Sequence, residues 1–451
     1  MKVGIIGSGH VGLVAGACLA EVGHEVLCTD SDEAKLRQLS AGVVPIYEPG
    51  LEKLILRNRA AGRIAFTSSL AKAVQDCDVL FICVGTPTSE TGEANLYFID
   101  KVAGEVGALL KEPKVIVEKS TVPVRTGASV RRALERTSGR TDFDVVSNPE
   151  FLREGTAVED FLFPDRIVIG VESARGEAIM RDLYRPIVEQ SFEMAASHQP
   201  RLSRVPMIVT SVSSAELIKH AANSFLALKI SYANALAAVC DLTGADIEEV
   251  AEGLGLDRRI GPAFLKAGAG YGGYCLPKDI LAFHQICREL GYDFQLLKDV
   301  MEVNRAAKMR IVEKVTRALW VLRGKTIAVL GLAFKANTDD MRDAPSIDII
   351  RALQEQGAEI RAYDPHAMDA AKNCLSGITF CSSAYEAAEG SHAVVLLTEW
   401  DEFRSLDLAR LRKAMKWPIV IDGRNVFSPE RMQELGFEYH SIGRSGRGRK
   451  P

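Results

Sequence analysis

Over the first third of the chain, short apolar runs alternate with helix-length amphipathic segments. Val3–Ile6, Glu25–Thr29, Val79–Val84, Lys114–Glu118, Asp144–Ser147 and Arg166–Val171 read as strands buried on both faces. Ile64–Thr67 adds one more short candidate. Between several of them lie segments with helical spacing, such as Val11–Glu21 and Tyr97–Leu110. That alternation predicts a parallel sheet wrapped by helices, because parallel neighbours need a crossover and a helix is the usual one.

From about Ser211 the pattern changes. Ser213–Leu242 keeps apolar residues at helical spacing with no Pro or Gly, which predicts one long helix. Ser213 with Glu216 three residues on has the spacing of a capping box at its start. Further helical patterns follow at Asp246–Glu252, Ile280–Leu290 and Leu297–Leu322. At Gly324 the strand–helix alternation restarts. Thr326–Leu330, Glu359–Tyr363, Ala393–Leu397 and Ile419–Ile421 read as strands and Pro345–Gln356 as a helix. The expected architecture is α/β: two doubly wound parallel-sheet domains joined by a long central helix and a helical connector. Its boundaries are set at 1–205, 206–312 and 313–451. The outer two repeat an architecture rather than a sequence, and a central helix of that length suits a dimer surface.

Composition narrows the class. The 451 residues are 47% apolar and 25% charged, the balance of a soluble globular protein. A formal charge of −4 offers no basic excess for nucleic acid or an acidic membrane surface. The one basic stretch, Arg444 to Lys450, reads as a solvated tail. Nine cysteines stand singly with no CxxC pair, so neither a disulfide framework nor a metal site is expected. The first strand starts at once, leaving no room for a secretion signal, and no apolar run approaches membrane-spanning length. A reducing cytoplasm is the expected compartment.

Gly7-Ser8-Gly9-His10-Val11-Gly12 follows the first strand and opens the first helix. In a Rossmann turn Gly7 permits the bend, Gly9 lets the backbone approach a pyrophosphate, and Gly12 lets helix and sheet pack closely. Asp30 ends the second strand, where an acid accepts hydrogen bonds from an adenosine ribose. Ser31 and Asp32 follow it, with no Arg for a 2′-phosphate, so NAD is expected rather than NADP. Gly85-Thr86-Pro87 and Ser120-Thr121-Val122-Pro123 also sit at carboxyl ends of strands, where ligands bind in such sheets. On these two segments alone, a plain turn explains them equally well.

The most informative segment is Gly268-Ala269-Gly270-Tyr271-Gly272-Gly273-Tyr274-Cys275-Leu276-Pro277-Lys278-Asp279. Glycines let a backbone wrap a ligand, and a helix expected to start near Pro277 gives Cys275 thiolate character, with Lys278 adding charge. A Rossmann domain with an activated thiol suggests aldehyde oxidation through a thiohemiacetal and a thioester. An incidental cysteine in a glycine loop has the same spacing.

These segments, together with Asn148-Pro149-Glu150-Phe151-Leu152-Arg153-Glu154-Gly155 and Gly331-Leu332-Ala333-Phe334-Lys335, resemble in their order the UDP-glucose/GDP-mannose dehydrogenase family over nearly the whole chain. Arg259-Ile260-Gly261-Pro262-Ala263-Phe264-Leu265-Lys266 is most similar to its UDP-glucose 6-dehydrogenase branch. The resemblance implies a four-electron oxidation of UDP-glucose to UDP-glucuronate with two NAD, one enzyme site taking both hydrides. GDP-mannose or another nucleotide sugar is the alternative substrate. It implies that Cys275 attacks the C6 aldehyde, that Lys219 and Asn223 bind the oxyanion, and that Asp279 and Thr121 hold the water. Glu154 would assist thioester hydrolysis and Glu150 would order its surroundings. On spacing alone, Lys219 and Asn223 are equally a polar stripe on a solvated helix face.

By the same resemblance the cofactor set takes in Gly7, Gly9, His10, Val11, Gly12, Asp30, Lys35, Gly85, Thr86, Thr121, Glu154, Lys278 and Arg342. The substrate set takes in Phe151, Leu152, Arg153, Glu154, Lys219, Asn223, Phe264, Lys266, Tyr271 and Gly272. Phe334, Lys335 and Arg424 would hold UDP, and Arg259 would reach across a homodimer. Arg125 stands where the family usually has Gly, Asn95 where it is commonly acidic, and Ala235 where many members have Glu. These put loop geometry in question. Two rivals are a one-step hydroxy-acid dehydrogenase, which needs no nucleophilic thiol, and a nucleotide-sugar binding protein without turnover.

Overall fold

The computed structural model describes residues 1–87, 94–192 and 203–444. The chain forms two compact units, Met1–Ala222 and Asn223–Pro451, with the boundary inside the helix Val212–Thr243.

Eight strands build the first unit: β1 Lys2–Ile6, β2 Glu25–Thr29, β3 Ile64–Thr67, β4 Val79–Ile82, β5 Val115–Glu118, β6 Asp144–Ser147, β7 Ile167–Gly170 and β8 Met207–Thr210. Their order is β3-β2-β1-β4-β5-β6-β7-β8. β1, β4, β5, β6 and β7 are buried at nearly every position, as unbroken Val/Ile runs require in a sheet covered on both faces. Parallel pairing fails at one point: β6 and β7 run antiparallel, with Ser147 opposite Gly170. The connection between them carries one short helix, Ala157–Leu162, of six residues. β8 lacks a burial signal because it is a half-exposed edge strand, and the apolar periodicity misses it.

The long helix differs from expectation in two ways. Its N-terminal cap is Ser211, whose Oγ accepts the N–H of Ser214 at 3.2 Å. Glu216 instead accepts the N–H groups of Arg125 (2.6 Å) and Gly127 (2.8 Å), closing the start of the helix Thr126–Ser138. The helix is also long and apolar enough to cross a membrane by length and composition, contrary to the expectation that no segment is. Its polar residues find partners within the protein, however: His220 Nε2 meets the Val122 carbonyl at 2.7 Å, and Ser231 bonds Val300.

In the second unit the helices Ile247–Gly255, Cys275–Glu289 and Gln295–Leu319 precede a six-stranded sheet. Its strands are β9 Thr326–Leu330, β10 Glu359–Tyr363, β11 Thr379–Phe380, β12 Ala393–Leu396, β13 Ile419–Asp422 and β14 Glu438–His440. They are all parallel, in the order β11-β10-β9-β12-β13-β14. The edge strands β11 and β14, of two and three residues, are too short to show a period. The two sheets repeat one device. Gly7 N–H bonds the Thr29 carbonyl and Ser8 N–H bonds Asp30 Oδ2, each at 2.8 Å. Gly331 N–H bonds the Tyr363 carbonyl at 2.8 Å and Leu332 N–H bonds Asp364 Oδ2 at 2.7 Å. Of the basic end, only Arg444 is described. It is docked rather than frayed, its guanidinium bonded to the Phe427 carbonyl (3.0 Å) and the Tyr439 hydroxyl (2.8 Å).

Candidate active site

In the first unit the turn after β1 has the shape a dinucleotide needs. Gly7 has φ +100°, and a Cβ on Gly12 would lie 1.9 Å from the Gly7 carbonyl oxygen. Only glycine tolerates both conditions. Nothing stands within 4 Å of where a Gly9 Cβ would be, so this backbone faces open space. Gly9 caps the helix His10–Glu21 without a side-chain hydrogen bond, which leaves the positive end of the helix for a phosphate. Asp30 closes the turn through Ser8 N–H, Asp32 N–H at 3.0 Å and Lys35 Nζ at 3.1 Å. Burial pushes its carboxyl up, but these donors more than offset it and hold it below the usual range. A carboxylate of this kind, with no arginine bonded to it among the described residues, fits an unphosphorylated ribose.

The neighbouring loops are sewn together. Thr86 Oγ1 donates to the Thr121 carbonyl at 2.9 Å, and Ser120 Oγ to the Val84 carbonyl at 2.8 Å. Beyond β6, Lys219 Nζ pairs with Glu150 Oε1 at 2.9 Å, both side chains almost fully buried. Glu150 Oε2 also accepts the Leu152 N–H at 2.6 Å. The Phe151 ring carries the Arg166 guanidinium at 3.6 Å and the Lys219 ammonium at 5.5 Å. Lys219 is thus a buried ion-paired group rather than one of a solvated stripe. Arg153 points elsewhere, forming an ion pair with Asp160.

In the second unit Cys275 is the first residue of the helix Cys275–Glu289, two residues earlier than expected. Tyr274 precedes it and makes no side-chain capping bond. The other eight cysteines are all pushed up by burial, which keeps them protonated. The glycine loop before Cys275 is pinned from both sides. Asn304 exchanges two bonds with Tyr271, at 2.8 and 3.0 Å, and a Cβ on Gly272 would meet the Asp343 carbonyl oxygen at 2.3 Å. Asp279 is 1% exposed and both its oxygens are occupied, by Lys278 Nζ at 2.5 Å and by Asn223 Nδ2 at 2.6 Å. Lys278 therefore spends its charge on Asp279 and on the Tyr274 ring (5.2 Å), which also stacks on Arg342 at 4.2 Å.

Arg424 follows β13 and bonds the carbonyls of Leu397 (2.8 Å) and Phe334 (3.1 Å), and Lys335 Nζ lies 5.5 Å over the Phe334 ring. These three residues therefore cluster at the carboxyl ends of β9, β12 and β13. Phe264 holds a left-handed φ of 65°. Lys266 is exposed, and the Arg259 side chain is 89% exposed and turned onto Asp257. Neither is gathered into that cluster.

Sequence patterns missed several residues that shape these sites. Glu48 accepts the Gly155 (2.8 Å) and Ala157 (2.9 Å) N–H groups and pairs with His10 at 3.0 Å, from an irregular segment that carries no signal. Burial alone would lower the His10 pKa, but Glu48, Glu154 and Glu150 raise it above its ordinary value. Asn304 did leave a trace. It is a polar residue at an apolar position of a helix whose inner face includes Val300, Ala307 and Ile311.

Comparisons with known proteins bear on both units. Residues 1–188 match the NAD binding domain of the UDP-glucose/GDP-mannose dehydrogenase family, 213–306 its central domain and 328–429 its UDP binding domain. The chain is 46% identical to UDP-glucose 6-dehydrogenase TuaD of Bacillus subtilis, over 100% of this chain and 95% of that protein. It is also 46% identical to a UDP-glucose 6-dehydrogenase of Rhizobium meliloti, over 98% of this chain and all of that one. Among solved structures, a UDP-glucose dehydrogenase from Pyrobaculum islandicum superposes with a TM-score of 0.90 at 36% identity, covering 98% of each chain.

Proposed function

The chain belongs to the UDP-glucose/GDP-mannose dehydrogenase family, and from that premise we propose that it is a UDP-glucose 6-dehydrogenase. It converts UDP-glucose, two NAD⁺ and one water to UDP-glucuronate and two NADH. The observation that carries this reading is full-length identity of 46% to enzymes of that name, with a cysteine at the head of a helix beside a buried Lys–Asp–Asn chain. NAD supplies the hydride acceptor, held by the Gly7–Gly12 turn and Asp30.

The residues then divide the work. Lys219 and Asn223, four apart on one helix, donate to the C6 oxygen as negative charge develops there. Cys275 adds to the C6 aldehyde to give a thiohemiacetal, and loss of the second hydride leaves a thioester. Water held by Asp279 and Thr121 hydrolyses the thioester with help from Glu154, releasing the acid and the thiol. Glu150 keeps the Lys219 ammonium in place. Phe334, Lys335 and Arg424 hold the UDP moiety, and Phe264 and Lys266 line the sugar and phosphate.

We also place the enzyme in the cytoplasm as a homodimer, working without nucleic acid or membrane. Seven of the nine thiols are buried as small core side chains, as suits a reducing compartment. Phe225, Tyr232 and Val239, 60%, 54% and 52% exposed and seven apart on the long helix, give an apolar row for a second copy. On this reading the chain has three domains, 1–205, 206–312 and 313–451. Purified protein should form two NADH per sugar consumed, fastest with UDP-glucose among UDP-glucose, UDP-galactose and GDP-mannose. A ratio of one would fit a single-step alcohol dehydrogenase and overturn the assignment.

A further inference from the structure

Arg424 is anchored on a buried carboxylate that the reaction above does not use. Asp422 ends β13 and is 0% exposed. Its Oδ1 accepts the backbone N–H of Arg424 at 3.0 Å. Its Oδ2 accepts the N–H of Phe427 at 2.9 Å and the Tyr439 hydroxyl at 2.8 Å. All three partners are donors, as burial of an acid requires. Tyr439 lies on β14, opposite Val420 of β13. Arg444 donates to the Tyr439 oxygen at 2.8 Å, which polarises that hydroxyl toward the carboxylate.

The turn Asp422-Gly423-Arg424-Asn425 is held from its far end as well. Asn425 stands at φ 54°, in the left-handed region, and exchanges two bonds of 2.9 Å with Ile442, one through each end of its amide. Gly443 accepts the Ile247 N–H at 2.8 Å, which ties this last segment to the helix Ile247–Gly255. The backbone from which the Arg424 side chain departs is therefore fixed by Asp422 on one side and by residues 439–444 on the other. Among the described residues, two of the five guanidinium N–H donors bond carbonyls, those of Leu397 and Phe334, and three are left for a ligand.

We propose that Asp422 and Tyr439 are positioning residues for nucleotide recognition, holding the Arg424 backbone so that its remaining donors meet the diphosphate of the substrate. The inference rests on the UDP-holding role given to Arg424 above. A guanidinium grips a phosphate through parallel N–H bonds, and a small tilt of its stem breaks one of them. Neither Asp422 nor Tyr439 needs to touch the ligand for its loss to be felt there.

The test uses the full-length protein, with UDP itself as the calorimetric probe. Asp422→Asn sets an amide NH₂ against one of the backbone donors. Tyr439→Phe removes a single oxygen and remains informative if the first variant fails to fold. Each should weaken UDP binding about tenfold, with NAD⁺ binding within about twofold of wild type. A lowered urea midpoint with unchanged UDP affinity would make both scaffold residues and overturn the proposal. The sharper readout is a cycle of Tyr439→Phe, Arg424→Met and the double variant. Arg424→Met alone should weaken UDP binding about 100-fold, and Tyr439→Phe should then add less than about twofold, because nothing is left for it to position. A full tenfold further loss would show that Tyr439 does not act through Arg424, and it too would overturn the proposal. So would UDP binding that survives Arg424→Met, or its absence from the wild type. Wild-type protein that binds UDP but forms no NADH from UDP-glucose would sink the oxidation, while the cycle still decides the inference.

Discussion

Glu216 accepts the backbone N–H of Gly127 at 2.8 Å, so the long helix caps another helix 89 residues earlier in the chain. The same carboxylate holds the N–H of Arg125, which sits at φ 79° in the left-handed region and directly precedes that helix. An arginine there costs about 1 kcal/mol relative to glycine. Glu216→Ala should lose about 1–3 kcal/mol in urea unfolding, since one buried donor, Gly127 N–H, and one partly buried, Arg125 N–H, go unmatched. Arg125→Gly should not destabilise and should leave turnover unchanged. A destabilised Arg125→Gly variant would show that the arginine side chain, not the backbone shape, is what matters.

The dinucleotide turn gives a sharper expectation. A Cβ on Gly12 would fall 1.9 Å from the Gly7 carbonyl oxygen, and neither backbone can yield without opening the turn. Gly12→Ala should weaken NAD⁺ binding by ~100-fold or more in calorimetry, with the circular dichroism of the folded protein retained. Tight binding by that variant would place the cofactor elsewhere.

Replacing Cys275 separates the two oxidations. Serine keeps the size of the side chain but is a far weaker nucleophile at neutral pH. Cys275→Ser should lower acid formation by roughly 10³-fold or more while NAD⁺ still binds, measured by product chromatography alongside NADH absorbance. Unchanged acid formation would remove covalent catalysis from the mechanism. Cys374→Ser, at the other half-buried thiol, should have no effect.

Stability should depend on pH through Glu118, which ends β5 at 1% exposure. Burial pushes its carboxyl up to about 8. Glu216 adds to it. An acid whose folded pKa exceeds its unfolded value binds its proton more tightly when folded. Its stabilising contribution is therefore complete below about pH 4.5 and is lost as the pH rises through about 8. Glu118→Gln should become more stable relative to wild type across that window, at ~1.4 kcal/mol per pH unit at most. Urea midpoints at pH 5 and pH 8 check this. A difference that does not change between them would mean the carboxyl is ionised throughout.

The sequence by itself determined the two sheets, the long helix and both glycine turns. Those features rest on local rules: unbroken apolar runs, 3.6-residue spacing, and glycine where a Cβ has no room. It singled out Cys275 among nine cysteines from its neighbours alone, and resemblance supplied Lys219, Asn223 and Asp279. Only the tertiary structure decided who partners whom. Ser213 and Glu216 had the right spacing for a capping box, yet Glu216 is spent on a helix whose start is distant in sequence. Lys278 looked like a charge for the thiol and instead neutralises Asp279. β6 and β7 looked like parallel neighbours, but they run antiparallel, with Ser147 opposite Gly170. Glu48 carries no motif, because a buried polar group is defined by the donors and acceptors that meet it in space, and spacing along the chain does not encode that meeting.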